Sequence, residues 1–183
     1  MMLKFLGCLI TLIVSPAKGW DNIERHDDEV PELLNKGFYP LVGVTSLTDF
    51  IQYFYAISPK VSVYVVNVII TFVAFVISYF FSSFLFSFFL KKMTDSQVSE
   101  RSYNTFILYS LACLAVIMII ENCMPMQLSI VEFLPIFVLL VMWLGNKYLH
   151  IGDNKGVVFI IFCALTILVP PYLFSYLFGL LLN

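Results

Sequence analysis

The stretch VSVYVVNVIITFVAFVISYFFSSFLFSFFL occupies residues 61–90 and contains no charged side chain. As an α-helix it would be about 45 Å long, whereas the hydrocarbon core of a bilayer is about 30 Å thick. An uncharged apolar run of this length is typical of a helix that crosses a membrane. The stretch therefore predicts a transmembrane helix that tilts or protrudes from the bilayer.

Three more apolar runs follow, at about 105–120, 128–144 and 157–182. Hydrophobic residues make up 61% of the chain and charged residues 12%, whereas soluble domains contain about 25% charged residues. We therefore predict an all-α integral membrane protein, in which residues 61–183 form a small polytopic bundle of about four membrane helices. Pro170 and Pro171 lack backbone N–H groups, so we expect the last run to be kinked or to span only in part.

Residues 1–19 have the layout of a secretory signal. Lys4 precedes an apolar segment that ends at Val14, and small residues follow before Trp20. The apolar segment is about ten residues long, which is short for a membrane span. The pattern predicts a signal peptide that is cleaved after Gly19, and the alternative is a retained N-terminal membrane helix.

Residues 20–60 are the one long polar stretch, and acidic residues outnumber basic residues in it. Ser46 and Asp49 have the spacing of a helix-capping box. Apolar residues at helical spacing follow, with tyrosines beside them. We predict an external acidic segment that contains an amphipathic helix over 46–57 at the membrane surface.

Basic residues predict which loops stay in the cytoplasm, because translocation of short loops rich in Lys and Arg is unfavourable. The loops at 91–104 and 146–156 are therefore predicted to be cytoplasmic, and residues 20–60 external. No Asn-x-Ser/Thr sequon occurs in the chain, which favours a bacterial inner membrane. The candidate contacts for a cytoplasmic partner are Lys91, Lys92, Arg101, Lys147, His150 and Lys155.

Glu132 is a candidate intramembrane carboxylate, since it lies about one turn inside the run at 128–144. Charged groups at membrane depth are rare and commonly serve a function. Together with Glu121 and Asn67, Glu132 could form a proton or cation site. The alternative is that Glu132 lies near the outer interface and reaches headgroup water.

Ala74, Ser78 and Ser82 recur every four residues and therefore lie on one face of the predicted helix over 61–90. Small side chains let helix backbones approach closely in lipid. This face is predicted to pack against another helix. It either joins subunits of a homo-oligomer or packs within the same bundle.

The remaining composition excludes several classes of function. The net charge of −2 gives no broad positive field, so direct nucleic-acid binding is not expected. The four cysteines have no paired spacing and are predicted to be small buried hydrophobic residues, with no metal or other cofactor. The spans lack the residue sets of intramembrane catalysis, so an intramembrane enzyme is the least favoured class.

The leading hypothesis is a non-enzymatic multi-pass protein that acts by protein contact in the lipid bilayer. It would form a homo-oligomer and bind a protein partner, as a sensor, a defence or immunity component, or an accessory subunit of a larger complex. The alternative hypothesis is a small ion or proton conductor that uses Glu132.

Overall fold

The structure is a computed structural model that describes residues 2–26, 28–55, 60–93, 98–124 and 133–182. These residues contain helices and no strand, which confirms the all-α prediction for the described part of the chain. Three helical stretches are long and apolar enough to cross a membrane: Val61–Leu90, Glu100–Cys123 and Gly156–Leu182. The α-helices are α1 (Met2–Val14), α2 (Pro16–His26), α3 (Val30–Leu33), α4 (Tyr39–Thr48), α5 (Val61–Met93), α6 (Glu100–Cys123), α7 (Leu134–Leu144), α8 (Gly156–Cys163) and α9 (Val169–Leu182).

Helix α6 lies at the centre of the fold. Every residue from Tyr103 to Ala115 is buried, because α1, α4, α5 and α7 pack around it. A helix that is apolar around its whole circumference is typical of a buried position. The outer helices differ, since α5 exposes Phe80 and Phe84, and α9 exposes Leu180. These outward apolar faces are suited to contact with lipid.

Residues 30–55 form one uninterrupted helical run, which we term the arm. In the arm, α3 is followed by a π-helical segment (Leu34–Phe38), α4 and a 3-10 segment (Asp49–Tyr55). Arg101 contacts Asp28 just before the arm, and Asn122 contacts Asp49 near its end. The arm therefore runs beside α6 in the same direction. The matched stretches 28–49 and 101–122 have equal lengths, about 30 Å as helix.

The prediction of a capping box at Ser46 and Asp49 is wrong. The Ser46 hydroxyl donates to the carbonyl of Val42 at 2.8 Å, and Ser46 is fully buried in the middle of a helical run. The predicted surface helix over 46–57 is instead divided between the end of α4 and the 3-10 segment. Residues 56 and 57 lie outside the described residues.

The N-terminal residues form a helical hairpin, α1 and α2, that packs on the bundle. A Cβ atom at Gly19 would overlap the backbone of Leu12, so glycine allows the two helices to approach closely. The Phe5 ring stacks on Tyr109 of α6 at 5.0 Å between centroids. Cleavage after Gly19 would remove Phe5 from the core. Both the cleaved signal peptide and the retained membrane helix stay predictions.

The predicted loop at 91–104 is shorter than expected. Helix α5 continues to Met93, and α6 begins at Glu100 with Ser99 as its N-cap. The Ser99 hydroxyl accepts a hydrogen bond from the backbone N–H of Ser102 at 3.1 Å, which satisfies one free donor of the first turn. Of the run predicted at 128–144, residues 134–144 form α7, and residues 128–132 lie outside the described residues.

The last run is helical throughout, although it contains Pro170 and Pro171. A π-helical segment, Ala164–Leu168, precedes them. The carbonyl of Thr166 would accept from residue 170 in an α-helix and from residue 171 in a π-helix, and neither proline has an N–H. The Ser82 hydroxyl donates to this carbonyl instead. In lipid a neighbouring serine is one way to satisfy a carbonyl that proline leaves unpaired.

The small-residue face of α5 is thus covered by the chain itself. Ala74, Ser78 and Ser82 are fully buried, and α5 packs there mainly against α4 and α9. The hydroxyls of Ser78 and Ser82 also lie 2.6 and 2.7 Å from the carbonyls of Ala74 and Ser78. The geometry agrees with packing inside one bundle, so it offers this face to no second subunit.

We expect Ser82→Ala to destabilise the protein because it leaves the Thr166 carbonyl without its donor. The cost of an unsatisfied buried acceptor is about 1–3 kcal/mol. In a Pro170→Ala background residue 170 regains its N–H, and Ser82→Ala should then cost less. Thermal unfolding of the four proteins in mild detergent measures this difference. Equal effects of Ser82→Ala in both backgrounds would contradict the assigned hydrogen bond.

Candidate functional site

Two groups of polar side chains lie at opposite ends of α6. The cavity end is the end at Glu100, and the network end is the end at Cys123. Each group joins α6 to chain segments that are distant in sequence. The cavity end holds an open polar cavity, and the network end holds a buried carboxyl group.

The polar cavity has a volume of about 530 Å³. Three segments form it: the end of α2 with the residues after it, the first turns of α6, and the loop after α7. Both signs of charge and several hydroxyl groups line it. The lining residues are Ile23, Glu24, Asp28, Val98, Ser99, Arg101, Ser102, Thr105, Tyr148 and His150.

Arg101 and Lys4 fix the position of Asp28 at the edge of the cavity. Lys4 Nζ donates to Asp28 Oδ1 at 2.7 Å, and Arg101 Nε donates to the backbone carbonyl of Asp28 at 3.2 Å. The lysine side chain is 40% exposed, so the ion pair contributes little stability, about 0–1 kcal/mol. The pair does neutralise much of the Asp28 charge. Arg101 and Glu24 also line the cavity and carry charges of opposite sign.

The loop after α7 carries His150 to the cavity in a left-handed backbone conformation, with φ of 53°. This conformation costs a non-glycine residue about 1–2 kcal/mol. Buried Leu149 and Ile151 on either side hold the loop in place. Strained residues of this kind are found preferentially at functional sites.

Trp20 packs against Tyr148, one of the residues that line the cavity. Its Nε1 donates to the carbonyl of Val141 at 2.9 Å, and its ring stacks on Phe106 and Tyr148 at 5.1 and 5.2 Å. A side chain at Gly145 would overlap the Phe106 ring. One tryptophan therefore joins α2, α6, α7 and the following loop. Burial raises the pKa of Tyr148, and hydrogen bonds with Thr105 and Ser102 partly oppose this rise.

The structure brings together two of the six predicted partner contacts, Arg101 and His150. Lys147 is exposed on the same loop as His150 but outside the cavity, and Lys155 is half-buried just before α8. Lys91 and Lys92 lie in the last turn of α5, and their side chains are outside the described part.

The contact between Asp28 and Arg101 contradicts the prediction that residues 20–60 and the loop at 91–104 lie on opposite sides of the membrane. The two residues are in contact at 3.2 Å, whereas opposite sides of a bilayer core are about 30 Å apart. The number of basic residues in a segment carries no information on which other segments that segment contacts. The start of residues 20–60 and both basic loops lie at the cavity end, and the arm leads to the other end.

The network end contains a hydrogen-bonded cluster that we term the Asp49 network. Thr71 Oγ1 donates to one carboxylate oxygen of Asp49 and Asn122 Nδ2 to the other, both at 2.7 Å. Asn122 Nδ2 also donates to Thr48 Oγ1 at 3.0 Å, and Gln52 Nε2 donates to Asn122 Oδ1 at 2.6 Å. The cluster joins the arm, α5 and α6. Burial raises the pKa of Asp49, while the bonds from Thr71 and Asn122 act in the opposite direction.

Sequence reasoning missed Asp49 as the buried carboxylate. Glu132, which it selected instead, lies outside the described residues. Glu121 is half-buried beside Asn122, and Asn67 is half-buried one turn before Thr71. The available signal was a four-residue spacing that places Asp49 on the buried stripe of the arm, which consists of Leu33, Gly37, Leu41, Thr45 and Asp49.

The middle of α6 separates the cavity from the Asp49 network. The buried side chains from Phe106 to Leu114 are mostly apolar. The hydroxyl of Ser110 has no hydrogen-bond partner within the described part of the chain, so it continues no polar chain. The middle of α6 therefore supplies no continuous row of polar side chains between the two ends.

The side chains of the described residues and the comparisons with known proteins define a class of protein but no family. The described residues contain no cluster of His, Cys, Asp or Glu able to hold a metal ion. Cys8, Cys113 and Cys163 are buried and Cys123 is exposed. No protein-family model, curated protein or solved structure matches the chain. The fold defines an all-helical protein with three helices able to cross a membrane, a polar cavity at one end and a buried carboxyl at the other.

We expect Glu29→Cys and Glu100→Cys, both at exposed positions of the cavity end, to react with an impermeant thiol reagent from the same side of the membrane. Both are made in a Cys123→Ser background, which leaves only buried native thiols. Native Cys123, at the network end, is the control and should react from the opposite side. Labelling of positions 29 and 100 from opposite sides would contradict the contact between Asp28 and Arg101.

Proposed function

We propose that the protein is a non-enzymatic, multi-pass protein of a bacterial inner membrane that acts by binding a partner protein at its polar cavity. The observation that carries the proposal is the construction of the cavity. Three distant segments meet there, with Arg101 and Glu24 offering opposite charges and His150 held in a strained conformation. A sensor, a defence or immunity component, or an accessory subunit would each use such a site.

The cavity suits a polar segment of the partner that carries both an acidic and a basic side chain. A carboxylate of the partner would pair with Arg101 and the His150 ring, and an ammonium or guanidinium group with Glu24. The hydroxyls of Ser102 and Tyr148 would supply additional hydrogen bonds. Paired charges at a partly desolvated site give specificity more than affinity.

The cavity end is the proposed cytoplasmic end. Lys4, Arg101, Lys147 and Lys155 lie at this end, and Lys91 and Lys92 end α5 there. Clustered bases of short segments are retained on the cytoplasmic side. Residue 20 would then be cytoplasmic, where a signal peptidase does not act, so this proposal favours a retained N-terminal hairpin over a cleaved signal. The homo-oligomer remains a prediction that needs a face other than Ala74, Ser78 and Ser82.

Glu24→Trp should abolish partner binding, since Glu24 is exposed at the cavity and an indole there would fill its mouth. The matched control is Arg25→Trp, also exposed but outside the cavity lining. We expect the partner recovered with affinity-purified protein from native membranes to fall about tenfold or more for Glu24→Trp only. Equal recovery with both variants would reject the cavity as the docking site.

Conduction of protons or ions is the competing function, and the apolar middle of α6 argues against it. We expect no flux from the wild-type protein in vesicles that contain a pH-sensitive dye, because a conductor needs a continuous polar path. Glu132→Gln and Asp49→Asn are the matched variants. If the wild-type protein gives a flux that either variant abolishes, the protein is a conductor and the binding proposal is rejected.

A further inference from the structure

Asp49 is a buried titratable group that partner binding at the cavity does not use. It is 8% exposed, and its network partners Thr71 and Asn122 are 7% and 6% exposed. Its two oxygen atoms bind residues of two different helices, α5 and α6, while Asp49 itself belongs to the arm. One carboxyl group therefore fastens the end of the arm to the bundle.

The partners of Asp49 can serve either of its protonation states. The Asn122 amide N–H is a fixed donor to Oδ1. The Thr71 hydroxyl can donate to an ionised Oδ2, or it can rotate and accept a proton that Oδ2 carries. Both states thus keep two hydrogen bonds. They differ in charge, and a buried carboxylate without a cationic partner is costly.

We propose that Asp49 is a proton-binding site that controls the arm. With the proton bound, the neutral carboxyl holds the arm against α5 and α6. When the proton leaves to water, a charge is left in a buried cluster, and the arm separates from the bundle at the network end to hydrate it. The proton passes between Asp49 and solvent at this end only.

Within the described part of the chain, no cationic side chain forms an ion pair with the Asp49 carboxyl. Burial raises the pKa of Asp49, and the hydrogen bonds from Thr71 and Asn122 lower it. No charged group contributes to this pKa shift. The other titratable side chains among the described residues of this end are Tyr53 and Tyr55 of the arm, Lys60 just before α5, Tyr64 of α5, Glu121 and Cys123 of α6, and Tyr172 of α9. Glu121 is the one acid among these described residues, so it is the necessary control.

The direction of the pH effect follows from the raised pKa. A group whose pKa is higher in the closed state stabilises that state fully below its ordinary pKa, which for Asp is about 3.9. The stabilisation is lost as pH rises through the raised value. The open fraction should therefore increase with pH in this window, by up to about tenfold per pH unit.

Ser46→Cys in a Cys123→Ser background reports the opening, because residue 46 is fully buried on the arm near Asp49. The rate of its reaction with a small thiol reagent is measured against pH in mild detergent. Asp49→Asn in the same protein mimics the neutral carboxyl, so its reaction rate gives the pH dependence of the thiol by itself. We expect the rate with Asp49, divided by the rate with Asn at position 49, to rise with pH. Glu121→Gln and the exposed Asp21→Asn should leave that rise unchanged.

A ratio that is flat with pH would overturn the proposal, and so would a rise abolished by Glu121→Gln. Thr71→Val is the second variant, which keeps the side-chain shape and removes the hydroxyl. Because the Thr71 bond lowers the pKa of Asp49, its loss should move the midpoint of the rise to higher pH. An unmoved midpoint would overturn the assignment even if Asp49→Asn failed to fold.

Discussion

The burial of α6 is the constraint on which the rest of the structure depends. From Tyr103 to Ala115 it leaves no side chain exposed, so partners must cover it on every side. The arm covers one side along its whole length, and α5, α7 and the N-terminal hairpin cover the others. A central helix with neighbours all round brings distant segments together at both of its ends. The cavity and the Asp49 network are the two results.

Backbone and side-chain polar groups inside such a bundle must be satisfied by neighbours, because lipid offers no hydrogen bonds. Ser82 supplies the donor that Pro170 and Pro171 cannot supply to Thr166. Asn122 performs a similar task at the end of α6, where it bridges Thr48, Asp49 and Gln52. In both places one polar side chain fixes two helices relative to each other.

The candidate site was predictable only in part. Arg101 and His150 are predictable because basic residues in short loops stand out in the sequence, and both line the cavity. Asp49 is not predictable in this way, because the spacing of Ser46 and Asp49 fits a capping box as well as a buried stripe. Local spacing cannot separate these alternatives. The difference is set by α5 and α6, whose Thr71 and Asn122 lie 22 and 73 residues away.

The sequence alone determined that the chain is helical and apolar enough for a membrane, because long uncharged runs have few other stable environments. It also located the small-residue face of α5 and the bases at the ends of helices. Only the tertiary structure decided that the face packs within the chain, that Asp28 meets Arg101, and that the arm lies beside α6. These facts depend on which helices are neighbours, and hydropathy and spacing describe each helix by itself.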